Sequence, residues 1–464
     1  MRTDADRELV RDDGGAHHRS PSSDGRDGAG ARGVRRIVVG SLLAGPVLAG
    51  VLTMVAFGGA DEPVITGAAL LGLGLGWALL AVLSVRMTDH PQRWALVPAA
   101  AMTATGLALI ILAPGNRGLT MAGWVWPPVL LALAVWVSVR VRRSTPARGG
   151  RWALYPVAVL MAAAAAGGMV TTIGVASAGR GDPAPGTTYD VGGHRLHLHC
   201  TGSGSPTVVL QSGQGEFSPH WSLVAPAVSR TTRVCAYDRA GQGWSDDVPR
   251  AQDGFQAAAD LDTLLDAAGE AGPYVLAGHS IGGAHSMAFA ARYPEQVAGV
   301  VLLDASNLYA TPAGGVSPGL DTLGPIALLP SAARLGLGYL LPGSETDLPE
   351  GAARQAEAFA ASPRGWRNYR DDFATMPALF SQAQQLTTLG SMPLVVLTST
   401  GEQHAEGFAD AHDRMMSLST ASSHRFTEAT HAGVLDDRRG AGASARAITD
   451  VVTAVRTGEH LPPD

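Results

Sequence analysis

Apolar residues fall in five long stretches near the start of the chain, at residues 37–57, 64–85, 95–112, 119–139 and 152–176. None carries a charged side chain in its interior. Each approaches the ~20 residues that a helix needs to cross the ~30 Å hydrocarbon layer of a bilayer. A buried helix of a soluble protein would show a polar stripe at this length, and these do not. The pattern predicts five transmembrane helices, the third being the weakest because Thr103 and Thr105 interrupt it. Trp77, Trp94, Trp124, Trp126, Trp136 and Trp152 lie in or at the edges of the spans, where several suit the interfacial belt. Residues 1–35 have no apolar period and read as a disordered tail. That tail is long and mixed in charge, and the first apolar run exceeds the ~7–15 residues of a secretory signal, so the run reads as a retained span.

The pattern changes at residue 181. Residues 181–187 (Gly-Asp-Pro-Ala-Pro-Gly-Thr) have the composition of a linker. Short β-rich runs follow at 188–191, 194–199, 207–211, 233–237, 274–277, 300–303, 394–398 and 425–427. Helical periods lie between them, as at 255–268, 286–292 and 444–456. The alternation predicts an α/β fold, a mostly parallel sheet with helices on both faces. Residues 305–392 break the rhythm with helical patches at 352–361 and 366–385 and no clear strand. An insertion of this length after a strand is a usual place for a cap over a site. The expected units are a tail at 1–35, a membrane region at 36–180 and an α/β domain at 181–464.

Composition sharpens this division. Of 464 residues, 46% are hydrophobic and only 16% are charged, where a soluble domain averages about 25%. One ordinary soluble globule is excluded, and so is a mainly disordered chain. Residues 37–180 hold just 12 of the charged side chains, none inside an apolar run. Arg placement orients the spans. One side carries Arg32, Arg35, Arg36, Arg86, Arg93, Arg140, Arg142, Arg143, Arg148 and Arg151; the other carries Arg117 and Arg180. The N-terminus is therefore expected in the cytoplasm. Five spans then put the α/β domain outside, in a multi-pass cell-membrane protein. Residues 181–464 hold 17 Arg against 30 acids, a balance that repels nucleic acid. The spans lack interior ionisable residues, and Gly72, Gly74 and Gly76 suit close helix packing, so the region reads as an anchor in the lipid bilayer rather than a transporter.

The chemistry centres on Gly278-His279-Ser280-Ile281-Gly282-Gly283, which follows the run 274–277 and opens a helix. A serine on a tight strand-to-helix turn presents its hydroxyl at the sheet edge, and Gly278 and Gly282 leave room for the turn. Serine needs a base to take its proton. The best placed is His431, just after the last strand; His404, His424 and His460 are less well placed, and His279 packs or caps locally. Two carboxylates compete to orient the imidazole: Asp304, ending the run 300–303, and Glu402, after the next strand. Asp304 is favoured on strand-end placement, with Glu402 as the alternative. The oxyanion needs two backbone donors. These are Ile281, after the serine, and Gln214, in the loop Gln211-Ser212-Gly213-Gln214-Gly215-Glu216.

With these residues in view, the chain from about 185 to 460 resembles the α/β-hydrolase fold family, serine hydrolase branch. The matching parts are Gln211–Gly215, Tyr237-Asp238-Arg239-Ala240-Gly241-Gln242-Gly243-Trp244-Ser245, the nucleophile elbow at Ser280, Leu302-Leu303-Asp304 and His431. The resemblance implies an eight-stranded sheet with the second strand antiparallel and a helical cap after the sixth. Two positions depart from the family pattern. Ser212 replaces the usual His of the oxyanion loop, and His404 stands where the usual Asp follows the seventh strand. The second departure supports Asp304, because haloalkane dehalogenase-like branches keep their acid after the sixth strand. Those enzymes use an Asp nucleophile, so Ser280 argues for acyl transfer instead. In the family's strand order, Cys200 and Cys235, the only cysteines, lie on neighbouring strands and are a disulfide candidate.

The expected function is a membrane-anchored serine hydrolase cleaving an ester, thioester or amide of a small-molecule or lipid-like acyl substrate, with no metal or cofactor. The alternative is a non-catalytic sensor or assembly protein that keeps the fold.

Overall fold

The computed structural model describes residues 23–145, 150–181, 183–309, 324–340, 346–402 and 407–462. Most of the expected disordered tail lies outside these residues. Within it, however, helix α1 (Ser23–Val51) already begins at Ser23. The chain continues through a wider π-type turn at Leu52–Ala56, where Thr53 Oγ1 donates back to Ala49 O over 2.8 Å. Then come α2 (Glu62–Met87), α3 (Leu96–Leu112), α4 (Asn116–Ala122), α5 (Trp126–Ser144) and α6 (Arg151–Gly181). Among the described residues, four stretches are long and apolar enough to cross a membrane: Gly33–Ala56, Glu62–Met87, Arg93–Leu112 and Arg151–Ala178.

The fourth expected span, at 119–139, is a bent pair, α4 and α5 meeting at 46°, and counted as one span it brings the number to five. Pro127 and Pro128 open α5. They have no N–H to extend the ladder of α4, and Pro127 disfavours helical geometry at the residue before it. Glycines set the close contacts between helices: a Cβ on Gly76 would stand 2.9 Å from Gly45 Cα.

Eight strands follow: β1 (Thr187–Asp190), β2 (Arg195–Thr201), β3 (Val208–Gln211), β4 (Val234–Tyr237), β5 (Tyr274–His279), β6 (Val297–Leu303), β7 (Leu394–Ser399) and β8 (Ser422–Thr427). They form one sheet in the order β1-β2-β4-β3-β5-β6-β7-β8. Only the β1–β2 and β2–β4 ladders are antiparallel. Each expected strand is present to within three residues at either end. The central strands are buried on both faces, which is why they read as unbroken Val/Leu runs rather than alternating ones.

Around the sheet stand α7 (Ala225–Val228), α8 (Gly254–Ala268) and α9 (Ile281–Arg292). One core packs α8 and α9 beneath the sheet through Leu261, Leu265, Met287 and Phe289. A second core packs Val228, Ile448, Val451 and Val452 on the other face. The cap between β6 and β7 contains α10 (Leu329–Arg334), α11 (Glu350–Ala361) and α12 (Pro363–Ala383). The domain closes with α13 (Phe408–Met416), α14 (Gly433–Asp436) and α15 (Arg438–Thr457). Cys200 and Cys235 face each other across the β2–β4 ladder and are joined as a disulfide.

The cap also rests on the apolar helices. Arg334 of α10 is paired with Glu62 at the start of α2, and its Nη2 donates to Asn116 Oδ1 at 2.9 Å. Thr66 and Ser331 share a hydrogen bond of 2.7 Å.

Candidate active site

The parallel strands β5, β6, β7 and β8 end side by side, and the candidate catalytic residues sit at those ends or just beyond. Ser280 joins β5 to α9 with φ 54° and ψ −126°. This is a strained, left-handed conformation for a residue with a Cβ. The strain is held from two sides: Ser280 N donates to Leu303 O, and Ser280 O accepts from Ser306 N. Gly282 is required because a Cβ there would lie 2.0 Å from Gln211 O. Ser280 Oγ has no protein hydrogen-bond partner among the described residues.

Asp304 follows β6, also left-handed at φ 45°, with its side chain fully buried. Ser399 N and Ser399 Oγ donate to its two oxygens at 2.8 and 2.9 Å. His431 Nδ1 donates to Oδ2 at 2.5 Å. Burial alone would raise this carboxyl, but the bonds from His431 and Ser399 outweigh it and bring it down to about 2. The acid is therefore ionised at neutral pH and fixes the proton of the imidazole on Nδ1, leaving Nε2 as the free base position. Glu402 lies on the other side of this loop. Its carboxylate accepts from the backbone N–H of His431 at 3.2 Å and makes no bond to the ring. The two carboxylates thus have different tasks: Asp304 holds the ring and Glu402 holds the loop.

The other histidines stand elsewhere. His424 bonds Thr398 Oγ1 at 2.7 Å, His460 is exposed, and His404 lies outside the described residues.

The loop after β3 reaches the same rim. A Cβ on Gly213 would stand 3.0 Å from Ser280 Cβ. Gly213 N–H is taken by Glu216 Oε2 at 2.7 Å, whereas Gln214 N–H has no partner among the described residues. The Gln214 side chain donates to Tyr369 O in α12, which ties the loop to the cap. Ile281, first in α9, has an N–H with no intrahelical acceptor. Arg239 Nη1 donates to Ser212 O at 2.6 Å, and Trp221 Nε1 donates to Ser212 Oγ at 3.0 Å. Ser212, the departure from the family pattern, is thereby used as a latch for the loop.

One arrangement escaped the sequence reading. His279 does more than pack locally. Its Nδ1 faces both oxygens of Glu216, at 2.8 and 3.0 Å, and its Nε2 donates to His431 O at 2.9 Å. Both partners are pure acceptors, so the ring carries a proton on each nitrogen. It is a buried imidazolium whose centroid lies 4.6 Å from that of His431. Burial opposes both charges. Even so, the attraction between them brings Glu216 down to about 2 and raises His279. The pair links the loop after β3, through Gly213, to the loop that carries His431.

Its stabilisation has a defined pH window. Glu216 contributes above its ordinary value of 4.5, and the contribution is lost as pH falls toward about 2. His279 contributes below its ordinary value of 6.5, and the contribution is lost as pH rises through the higher folded value. Glu216→Gln should therefore lower stability most between these ordinary values, by about 3 kcal/mol for a broken buried pair. Thermal melts of both proteins across pH 4–9 check this; equal melting temperatures near pH 6 would contradict it.

Among the described residues, the one group of three close potential metal ligands is Cys200, Cys235 and Glu270. It does not fit an ion, because the two sulfurs are bonded to each other and Glu270 is paired with Arg233.

Residues 206–395 match the family model described as alpha/beta hydrolase fold. With this match, the eight-stranded sheet of the C-terminal domain has the α/β-hydrolase fold. The chain is 37% identical over 159 residues to an uncharacterized protein of Schizosaccharomyces pombe, covering 27% of this chain and 29% of that protein. It is 38% identical over 117 residues to a 2-hydroxy-6-oxo-2,4-heptadienoate hydrolase of Pseudomonas putida, covering 25% and 42%. The chain thus spans less than half of the length of either curated relative. Among solved structures, a candidate epoxide hydrolase of Pseudomonas aeruginosa is similar with a TM-score of 0.48 and 19% identity, covering 60% of this chain and 99% of that one.

Proposed function

We propose that this chain is a membrane-anchored serine hydrolase that cleaves an ester, thioester or amide bond outside the cytoplasm. One observation carries the reading: a strained serine with an uncommitted hydroxyl follows His279, whose Nε2 donates to His431 O at 2.9 Å, and the His431 ring is held at Nδ1 by a buried, ionised carboxylate. Ser280 Oγ attacks the carbonyl carbon while His431 Nε2 takes its proton. The Gln214 and Ile281 N–H groups receive the negative oxygen. The same proton passes to the leaving oxygen, sulfur or nitrogen, which leaves an acyl-serine. Water then attacks that ester while His431 takes its proton, and His431 returns that proton to Ser280 Oγ as the acid product leaves. Asp304 stabilises the imidazolium at both stages. In the resting site no described hydrogen bond joins Ser280 Oγ to His431. Such contacts are often long before substrate binds and tighten with it.

The hydrolase name of the Pseudomonas putida relative supports hydrolysis. The distribution of Arg supports the orientation, with the N-terminus inside. A cavity of about 240 Å³ supports an apolar or lipid-like substrate. It lies between the apolar helices and the cap; its walls are mainly apolar, with Val175, Phe217, Trp244 and Phe359, and include Asn116, Gln355 and Arg364. Its Phe217 wall directly follows Glu216.

A fluorophosphonate probe tests the reading. Full-length protein in detergent should be labelled covalently at Ser280, as located by peptide mass mapping. An unlabelled protein with an intact fold would instead favour a non-catalytic sensor that retains this architecture.

A further inference from the structure

We propose that the cap segment at residues 329–340 lies among the acyl chains of the bilayer leaflet next to the hydrolase domain. The inference rests on the membrane-anchored reading and extends it from the helices to the cap.

The segment is Leu-Pro-Ser-Ala-Ala-Arg-Leu-Gly-Leu-Gly-Tyr-Leu, and Arg334 is its one charged residue. That charge is turned inward and neutralised by Glu62, which is itself 2% exposed. What faces outward is apolar: Leu335, Leu337, Tyr339 and Leu340 are 42, 48, 38 and 75% exposed. Four such side chains within six residues make an unusual surface for a water-facing lid.

The segment's position supplies the occupant. It is fixed along α6, within the apolar stretch Arg151–Ala178. A Cβ on Gly336 would stand 2.7 Å from Gly167 Cα, so the two backbones touch. Thr171 Oγ1 donates to Ala333 O at 3.0 Å, and the Tyr339 hydroxyl rests against Gly174. Gly167 is eleven residues before Ala178, roughly 16 Å along the helix axis. The stretch is 28 residues, about 42 Å long, so a ~30 Å hydrocarbon layer centred on it includes Gly167. On α6 itself Val170 and Ile173 are exposed beside the segment. The outward face of the cap therefore continues the lipid-facing surface of α6, and the fitting occupant is the acyl layer. Tyr339 has the form of an interfacial residue, an apolar ring with one polar tip.

Both native cysteines are bonded to each other, so an introduced cysteine is the only free thiol. Leu337→Cys and Leu340→Cys are labelled with an environment-sensitive dye in the full chain, in phosphatidylcholine vesicles, with Val170→Cys as reference. Lipids carrying a nitroxide on the acyl chain should quench all three adducts to a similar extent, while aqueous iodide should quench none appreciably. Iodide quenching without nitroxide quenching at 337 and 340, with Val170→Cys still nitroxide-quenched, would overturn the inference and leave the anchored reading standing. Loss of nitroxide quenching at Val170→Cys as well would overturn both.

Discussion

Replacing Ser280 by alanine is expected to lower kcat by roughly 10⁴-fold or more while leaving the fold intact, the scale for removing the nucleophile of such a unit. The prediction is sharp because Ser280 Oγ has no hydrogen-bond partner among the described residues, so no structural bond is lost. The strained backbone at φ 54° is also no harder for alanine than for serine, since both carry one Cβ. The residual rate would come from binding and the two oxyanion donors. Turnover of a chromogenic ester, together with a thermal melt, measures both parts. A variant retaining about a tenth of the wild-type rate would remove the hydroxyl from the mechanism, since a lost nucleophile costs far more than tenfold.

The second large effect separates the two carboxylates. Asp304→Asn should reduce kcat by about 10⁴-fold, whereas Glu402→Gln should stay within about tenfold. Asparagine at 304 keeps an oxygen for Ser399 N and tolerates a left-handed backbone. Its amide, however, presents a donor to His431 Nδ1, which drives the ring proton to Nε2 and removes the base. Among the described residues Glu402 bonds only the backbone N–H of His431, so its replacement loosens a loop without changing the tautomer. Comparable losses in the two variants would mean that Asp304 has no special role.

What the sequence made legible follows from local physics. The strands stood out because β-branched and leucine runs ended at Gly, Pro and Asp turns. The elbow was readable because its spacing and its place between a strand and a helix fall within a few residues. The break between α4 and α5 was present in Pro127 and Pro128, yet it was masked by the unbroken apolarity around them. Long-range pairings were not legible. Glu216 meets His279 across 63 residues, and Glu62 meets Arg334 across 272. No periodicity links such positions, since each pairing depends on how loops from different strands converge. The choice between Asp304 and Glu402 was open for the same reason. Both follow strand ends, and only the three-dimensional course of the His431 loop sets one at the ring and the other at the backbone.

The covalent tie between β2 and β4 has a mechanical consequence. Thr187, where the sheet begins, pairs with Leu198, two residues from Cys200. On the membrane-anchored reading proposed above, tension from a fluctuating bilayer would arrive at the stapled end of the edge hairpin. It must strain an S–S bond before it can peel β2 away from β4, so the rim bearing Ser280 is insulated from pulling on its leash.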